Sequence, residues 1–395
     1  MDYQIAVRNG KTLIKDSFSG EIVASDTSTS KALATVLSLS ESCSGIQLHF
    51  TSGLYYLDEP LELPTESMLS GSGRSTVLKP SAVFKGKDLV VSHHTNGLVV
   101  CDLVLQGAVV EGLLNGLLLH DCGDSEIRHV YARDFDGCGI DVTGGSFLNK
   151  IIGCTTSGNG KAGISLSDNL VGRGGDYVFN LVSECVSIRD KDVGFLVYES
   201  LCVNLVGCQV YQSGGHGFLV QYRSNSTCIT GCRTYQCYGN GVFVDDAHEI
   251  NISSNIFCWN RGHGIELSNT YWGTVSANNV IDSGGRTEPK KRGIYLRNKT
   301  RTVQVTANAI FNWPGHQPMV DGIFEADECE NNQISNNNIN YYTEKGVRCE
   351  GMNSQNSMNI EIAGPYVHPE EPETIHEHTE FDSIRPDAFL DLTRK

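Results

Sequence analysis

Short apolar alternations, each beginning at a glycine, recur along most of the chain. The residues one and three positions after the glycine are apolar, except that Glu325 takes the inward place three positions after Gly322, whereas the residues two and four positions after the glycine are mixed in character. Alternation with a period of two predicts a β-strand after each glycine. The glycines that open these segments are Gly116, Gly139, Gly163, Gly194, Gly217, Gly241, Gly264, Gly293, Gly322 and Gly346.

The spacing of these glycines predicts a solenoid. Successive glycines lie 23 to 31 residues apart. A repeat of this length is too short for two helices, contains no leucine-rich LxxLxLxxN pattern, and falls short of the ~40 residues of a propeller blade. Three short strands per repeat, stacked in parallel on neighbours ~4.8 Å away, satisfy the pattern. The sequence therefore predicts an all-β fold, a parallel β-helix of ten or more coils.

A column of cysteine and asparagine fixes the register of the coils. The residues nine positions before their glycines are Cys154, Cys185, Cys208, Cys232, Asn255 and Asn337. Asn278 and Asn308 take the same place, because insertions of six and five residues at 283–292 and 312–321 separate them from their glycines. We expect the asparagines to hydrogen-bond along the column and the cysteines to be buried free thiols.

The repeat resembles the right-handed parallel β-helix of the pectate-lyase-like superfamily of carbohydrate-active enzymes. The resemblance covers roughly residues 45–365 and rests on the GI-x-L/V strands, on SxN and GC at the inner turn, and on the entry segment LHFTSGLYYLDEPLELPTESMLSGSGRSTVL at 48–78. Hydrolases, lyases, transferases, epimerases and phage spikes share this consensus, and inulin fructotransferases are one such family. The resemblance implies a right-handed β-helix and a carbohydrate ligand, without selecting one family.

Both ends of the solenoid differ from the repeat. Residues 1–44 are predicted to form an N-terminal cap, in which 28–40 place Ala32, Leu33, Val36 and Leu37 on one helical face. Residues 45–365 form the predicted β-helix. Residues 366–395 are predicted to be an acidic tail.

Composition restricts the partners. The chain has 30 basic and 46 acidic residues, which gives a net charge of -16. This charge disfavours nucleic acid as a partner. It also disfavours polyanionic glycans, unless a local basic groove overrides the total charge. No apolar run approaches the ~18 residues of a membrane span, so no membrane partner is expected. No signal peptide is visible, which fits a cytoplasmic protein or a mature secreted form. The cysteines lack zinc-site spacing, and no metal site is predicted.

Two acidic residues are predicted to point outward from adjacent coils. Asp245 lies four residues after Gly241, and Glu266 lies two residues after Gly264. The two residues are separated by one coil spacing of ~4.8 Å and by two residues along the strand, ~6.6 Å, so the diagonal distance between their backbones is ~8 Å. Glycosidase carboxylates are about 5–9.5 Å apart, so we predict Asp245 and Glu266 as a catalytic pair that protonates the leaving oxygen and activates water or attacks the anomeric carbon. Solvated surface acids are the alternative interpretation.

Polar and aromatic residues of the same coils are predicted to bind the substrate. Sugar rings present C–H faces to aromatic rings and hydroxyl groups to charged side chains. As alternatives, the histidines would be turn residues, and the arginines and Asp321 would form ion pairs with one another. Asp246 and Glu249 are weaker candidates for the catalytic acids. The predicted substrate-binding residues are His263, His216, Arg292, Arg297, Asp321, Tyr198, Tyr222, Tyr271, Trp272, Tyr295 and Trp313.

Three functions remain open from the sequence. The first is a glycoside hydrolase or glycosyl or fructosyl transferase acting on a neutral polysaccharide or oligosaccharide without a cofactor, for which an amide at Asp245 or Glu266 should abolish turnover. The second is a lyase or epimerase acting on a uronate polymer, which needs Lys, Arg or Ca²⁺ to stabilise an anion. The third is a non-catalytic glycan-binding or spike-like protein. A homo-oligomer, for example a trimer, is compatible with each.

Overall fold

The computed structural model describes residues 1–40, 45–107, 112, 115–172, 178–283, 291–313 and 318–364. Parts of the predicted insertions at 283–292 and 312–321, part of the loop at 168–177 and the tail at 366–395 lie outside the described residues.

Three long sheets contain all the strands of the described chain. In spatial order, sheet A consists of β3 (Ile22–Asp26), β2 (Lys11–Asp16), β1 (Asp2–Arg8), β4 (Gln47–Phe50), β7 (Met68–Ser70), β10 (Val99–Cys101), β13 (Glu126–Arg128), β16 (Lys150–Ile152), β19 (Leu181–Ser183), β22 (Asn204–Val206), β25 (Cys228–Thr230), β28 (Asn251–Ser253), β31 (Thr274–Ser276), β34 (Gln304–Thr306), β37 (Gln333–Ser335) and β40 (Gln355–Ser357). Sheet B consists of β5 (Gly53–Leu57), β8 (Thr76–Pro80), β11 (Val104–Gln106), β14 (Tyr131–Arg133), β17 (Thr155–Ser157), β20 (Val186–Ile188), β23 (Gln209–Tyr211), β26 (Arg233–Tyr235), β29 (Ile256–Cys258), β32 (Asn279–Ile281), β35 (Ala309–Phe311), β38 (Asn338–Asn340) and β41 (Ile360–Ile362). Sheet C consists of β6 (Leu61–Glu62), β9 (Asp88–His93), β12 (Asn115–His120), β15 (Ile140–Thr143), β18 (Ala162–Asn169), β21 (Val193–Ser200), β24 (Phe218–Gln221), β27 (Val242–Asp245), β30 (Ile265–Ser268), β33 (Ile294–Arg297), β36 (Met319–Glu325) and β39 (Tyr342–Cys349).

The chain passes through sheets A, B and C once per coil, and each strand pairs in parallel with the strand one coil away. This confirms the predicted parallel β-helix and its number of coils. The strands that follow the recurrent glycines form sheet C, so the glycine spacing reports the length of each coil.

Side chains alternate across sheet C as predicted. In β27, Val242 and Val244 are fully buried inside the solenoid, whereas Phe243 and Asp245 on the outer face are half-buried. Strand β30 differs, because all its residues are buried, including Glu266 on the outer face, which is 8% exposed. An outward carboxylate that is nonetheless buried marks a place where neighbouring side chains enclose the outer face.

The predicted asparagine column forms a continuous hydrogen-bonded ladder. The backbone N–H of Cys232 donates to Oδ1 of Asn255 at 2.8 Å, and the N–H of Asn255 donates to Oδ1 of Asn278 at 3.0 Å. The N–H of Asn278 donates to Oδ1 of Asn308, and that of Asn308 to Oδ1 of Asn337, each at 3.0 Å. The ladder satisfies buried backbone groups at the A–B turn of every coil that it crosses.

Cysteines extend the same column toward the N-terminus. The backbone N–H of Cys154 donates to Sγ of Cys185, and that of Cys208 to Sγ of Cys232, each at 3.4 Å. All four side chains are buried, and every cysteine in the described ranges is a free thiol, as predicted. A thiol in this column therefore replaces the asparagine carbonyl as a weaker acceptor.

The N-terminal segment combines a helix with strands that the sequence interpretation did not include. Helix α1 (Thr29–Ser40) buries Ala32, Leu33 and Val36 as its predicted pattern requires. Strands β1, β2 and β3 form an antiparallel meander, and β1 pairs in parallel with β4, which extends sheet A beyond the first coil. A 3₁₀ helix spans Gly73–Ser75. Within the ranges that the structure describes, no helix combines the length and the apolar character needed to cross a membrane.

Candidate functional site

A cavity of about 830 Å³ lies on the outer face of sheet C, next to the turns that connect sheet B to sheet C. Strands β27, β30 and β33 supply one wall, and the turns that precede them supply the other. The residues that line it are His216, Tyr238, Gly239, Asn240, Phe243, Arg261, Gly262, His263, Glu266, Lys291, Tyr295 and Arg297.

Glu266 is the carboxylate among these lining residues. Its Oε1 accepts a hydrogen bond from Nε of Arg297 at 2.5 Å, and its Oε2 accepts one from Nδ2 of Asn240 at 2.6 Å. Arg297 is in the next coil and pairs in register with Ser268, two residues beyond Glu266. Both oxygens of the carboxylate are therefore engaged by donors from two different coils.

These contacts set the protonation state of Glu266. Burial alone would raise the pKa of the carboxyl group. The charge of His263, which the ring carries only in acid, acts together with the Arg297 guanidinium and the Asn240 amide to outweigh burial and lower the pKa of Glu266 below its ordinary value. Glu266 is consequently ionised at neutral pH and accepts hydrogen bonds at both carboxylate oxygens.

Two histidines and one asparagine form a second polar ladder along the edge of the cavity. Each lies immediately before a recurrent glycine. Nδ1 of His216 accepts the backbone N–H of Asn240 at 3.0 Å, and Oδ1 of Asn240 accepts the backbone N–H of His263 at 2.8 Å. Nδ1 of His263 then accepts the backbone N–H of Arg292 at 3.0 Å. Each side chain in the ladder thus accepts from the next coil, as the asparagines do at the A–B turn.

Both imidazoles are neutral at physiological pH. Burial lowers the pKa of His263 to about 4, against the opposing effect of the Glu266 carboxylate. Burial also lowers the pKa of His216, with Glu266 again acting in the opposite direction. Desolvation therefore determines the charge of these two rings.

The lining carries more positive than negative charge. Arg261, Lys291 and Arg297 are cationic, and Glu266 is the one anionic group among the lining residues. The guanidinium of Arg261 lies 3.7 Å from the centre of the Tyr238 ring, a cation–π contact between two lining residues. The described lining is therefore cationic, although the chain as a whole carries a net charge of -16.

The structure brings together five of the predicted site residues. Glu266, His216, His263, Tyr295 and Arg297 line the cavity. The ring centres of His263 and Tyr295 are 5.1 Å apart. These five residues come from the coils of Gly217, Gly264 and Gly293, and their role in binding substrate stays a prediction.

Sequence reasoning missed other residues of the cavity. Tyr238 and Arg261 each lie three residues before a recurrent glycine, and Asn240 lies immediately before one, whereas the prediction of the catalytic pair rested on residues after the glycine. Lys291 lies inside an insertion, where the repeat gives no register. Extending the column comparison to the whole turn before each glycine would have found the first two.

Asp245, the predicted partner of Glu266, lies outside this lining. It is on the adjacent strand, pairs in register with Ser268 and Gln221, and is half-buried. In the described part of the chain, its carboxylate makes no hydrogen bond or ion pair. The catalytic pairing of Asp245 with Glu266 stays a prediction.

Two other predicted polar residues, Arg292 and Asp321, form contacts away from the lining. Arg292 and Arg348 both donate to the fully buried Asp321, at 3.3 and 3.1 Å, which is the ion pairing foreseen as an alternative for Arg292 and Asp321. Arg292 also lies over the rings of Tyr295 and Phe324, at 4.7 and 4.3 Å. These contacts join three coils immediately beyond the cavity.

The remaining predicted aromatic residues form pairs elsewhere on the surface. Tyr198 and Tyr222 lie 5.2 Å apart, and Tyr271 and Trp272 lie 4.6 Å apart, on the coils around the ends of the sheet C strands. Trp313 is 51% exposed, and its backbone N–H donates to Asp282. None of the five is among the lining residues.

The weaker acid candidates are held by local hydrogen bonds. Asp246 accepts from Asn269, and Glu249 accepts from Ser226. Glu325, which the alternation placed inward, is fully buried and accepts from Asn332 and from other donors of the last coils. Across the residues with described positions, no three His, Cys, Asp or Glu side chains are arranged to hold a metal ion.

Sequence comparison matches a family model described as the right handed beta helix region, over residues 78–228 and 219–368. Among proteins with curated descriptions, none matches the sequence.

Solved structures share the fold at low sequence identity. The A-module of a mannuronan C-5 epimerase from Azotobacter vinelandii, AlgE6, is 16% identical with a TM-score of 0.73, covering 86% of this chain and 96% of that chain. A GH87 α-1,3-glucanase from Streptomyces thermodiastaticus is 11% identical with a TM-score of 0.60, covering 85% and 67%. Tailspike protein 3 of bacteriophage CBA120 is 12% identical with a TM-score of 0.57, covering 88% and 62%. At these identities, the similarity shows the fold.

Proposed function

This chain belongs to the right-handed beta helix family, and from that premise and the chemistry of its cavity we propose that it acts on a uronate-containing polysaccharide. The observation that carries the proposal is the charge of the lining, with three cationic side chains and one ionised carboxylate. The structural neighbours include mannuronan C-5 epimerases, a glucanase and phage tailspikes, which supports a carbohydrate ligand.

The cations suit the carboxylate of a uronate sugar. Glu266 neutralises Arg297 through their direct contact, so the described lining holds no second carboxylate to pair with the guanidinium of Arg261. A sugar carboxylate would supply the missing negative charge, and a partly enclosed cavity strengthens that attraction relative to open water. A neutral sugar would bring no charge to pair with that guanidinium.

We propose proton abstraction next to the sugar carboxylate as the reaction. A base removes the proton from C5, and the electron pair of the C–H bond moves into the carboxylate to give an enediolate dianion, which nearby cations stabilise. Return of a proton to the opposite face gives the C5 epimer, whereas loss of the oxygen on C4 with its bonding electrons gives an unsaturated uronide. Glu266, ionised and facing the cavity, is our candidate for the base.

The same protonation state disfavours Glu266 as the general acid of glycosidic hydrolysis. A general acid must hold a proton at working pH, which requires a raised pKa, whereas the pKa of Glu266 is lowered. Tyr295 keeps its phenol hydrogen at neutral pH, because burial raises the pKa of the phenol, so it can donate a hydrogen bond in the cavity.

Hydrolysis or transfer by the Asp245 and Glu266 pair is the second candidate function. One observation favours it: the two acids lie on adjacent, directly paired strands of the outer face, two strand positions apart. In this mechanism Asp245 would have to be the proton donor, since Glu266 is ionised.

The proposal is tested by incubating the protein with mannuronan, and in parallel with a neutral α-1,3-glucan. We expect either an unsaturated-uronide absorbance or a change in the C5 configuration seen by NMR with mannuronan, and no reducing-sugar release from the glucan. Release of reducing ends from the glucan with no change in mannuronan would overturn the proposal in favour of the carboxylate pair.

A further inference from the structure

We propose that His216 and His263 are fixed hydrogen-bond donors, each carrying its single ring hydrogen on Nε2 and directing it into the cavity toward a substrate carboxylate. The inference rests on the proposed function for the identity of the ligand. The state of the two rings follows from the ladder alone.

The ladder determines which ring nitrogen carries the hydrogen. Nδ1 of His216 lies 3.0 Å from the backbone N–H of Asn240, and Nδ1 of His263 lies 3.0 Å from that of Arg292. A backbone N–H can only donate, so Nδ1 must offer its lone pair in both rings. In a neutral imidazole the hydrogen then lies on Nε2.

Burial keeps the rings in this neutral form. His263 is 8% exposed, and a second proton on Nδ1 would break its bond with the Arg292 backbone and place a charge in a desolvated site. The pKa of about 4 for His263 agrees with this, because burial disfavours the imidazolium. A ring in this state cannot accept a proton from substrate without losing its backbone partner.

Asn240, the middle residue of the ladder, already donates a hydrogen bond to a carboxylate in the cavity. Asn240 uses Oδ1 for the ladder and directs its Nδ2 donor to the Glu266 carboxylate at 2.6 Å. His216 and His263 occupy the same column one coil to either side, and both line the cavity. Their Nε2–H groups are the corresponding donors, and they suit a carboxylate that gains negative charge during enediolate formation.

This role differs from that of a general base or a purely structural turn residue. A base must present a free lone pair, which the ladder uses in both rings. A structural residue would need only the acceptor at Nδ1. Two substitutions at His263 separate the roles, because asparagine reproduces the Nδ1 acceptor, as Asn240 does in the same column, whereas glutamine reproduces the Nε2 donor.

The ring state can be read directly, without any substrate. Nitrogen-15 NMR of the histidine-labelled protein at neutral pH should show His216 and His263 with a protonated Nε2 and an unprotonated Nδ1. The signals are assigned by their disappearance in His216→Gln and His263→Gln. Hydrogen on Nδ1, or a charged ring, in either residue would overturn the inference whether or not mannuronan is the substrate.

Activity on mannuronan then tests the donor role. We expect His263→Asn to keep the Tm of the parent within about 2 °C but to lower turnover about 10²- to 10³-fold, as loss of one preorganised donor does. His263→Gln should lower the Tm by about 2–4 °C, because one ladder bond is lost, yet be at least about tenfold more active than His263→Asn.

Other patterns of activity contradict the donor role. An active His263→Asn variant would show that the ring is only structural. Equal, complete loss in both folded variants would indicate a base. If the parent protein leaves mannuronan unchanged, the proposed function fails, while the NMR measurement still decides the ring state.

Discussion

Replacing Glu266 by glutamine should lower turnover of the uronate substrate by about 10²- to 10⁴-fold, the usual contribution of a positioned base. The amide keeps the shape of the side chain but cannot take up a proton. It also places an NH₂ group where the carboxylate now accepts from Arg297 or Asn240, so that one of these donors loses its acceptor. Turnover on mannuronan, with circular dichroism to confirm folding, is the measurement.

Asp245→Asn is the matched control for this substitution. The carboxylate of Asp245 makes no hydrogen bond or ion pair among the described residues and lies outside the cavity lining. A group that does not touch the reacting atoms adds little to transition-state stabilisation, so we expect turnover within about threefold of the parent. Comparable losses in both variants would instead support the carboxylate pair, and full activity of Glu266→Gln would remove Glu266 from the mechanism.

Replacing Asn278 by alanine should lower the free energy of unfolding by about 2–5 kcal/mol, because several buried polar groups lose a partner. Nδ2 of Asn278 donates to the carbonyl of Ile252 at 2.9 Å and to Oδ1 of Asn308 at 3.0 Å. Its Oδ1 accepts the backbone N–H and the Nδ2 of Asn255 at 3.0 and 2.9 Å. Chemical denaturation monitored by circular dichroism measures the loss.

The neighbouring residue provides the control for the ladder. Asn279 is exposed on the outer face of β32, and its alanine variant should change the unfolding free energy by less than about 0.5 kcal/mol. Asn278→Cys should lose less stability than Asn278→Ala, since Cys232 and Cys185 accept backbone N–H groups in this same column. Equal stability of the Asn278 and Asn279 alanine variants would contradict the structural role of the ladder.

The repeat made most of this fold predictable. Backbone groups at each turn need a buried partner, so the same residue type recurs at the same place, as Asn255, Asn278 and Asn308 show. Alternation after each glycine then assigned Val244 to the interior and Phe243 to the outer face, as observed. Strands β1 to β3 were not predicted because they precede the repeat and pair antiparallel to one another.

The candidate site was only partly predictable. A position in the repeat gives the location of the backbone, but not the location of the charged group at the end of a long side chain. Glu266 and Arg297 are in different outward columns, two strand positions apart, and meet through the length of the arginine side chain. The net charge of -16 pointed toward a neutral glycan, whereas the cations of Arg261 and Lys291 are concentrated locally in the cavity. The net charge of a chain therefore does not report the local charge of one cavity on its surface.

The most direct test of the cavity as a carboxylate-binding site compares two ligands of the same backbone. Mannuronan oligosaccharides and their methyl esters differ in the charge that Arg261 and Lys291 would contact. Calorimetric titration at low and high salt should show the free acid binding at least about tenfold more tightly than the ester, a difference of about 1.4 kcal/mol that shrinks as salt rises. Equal affinity for acid and ester at low salt would contradict a uronate substrate at this cavity.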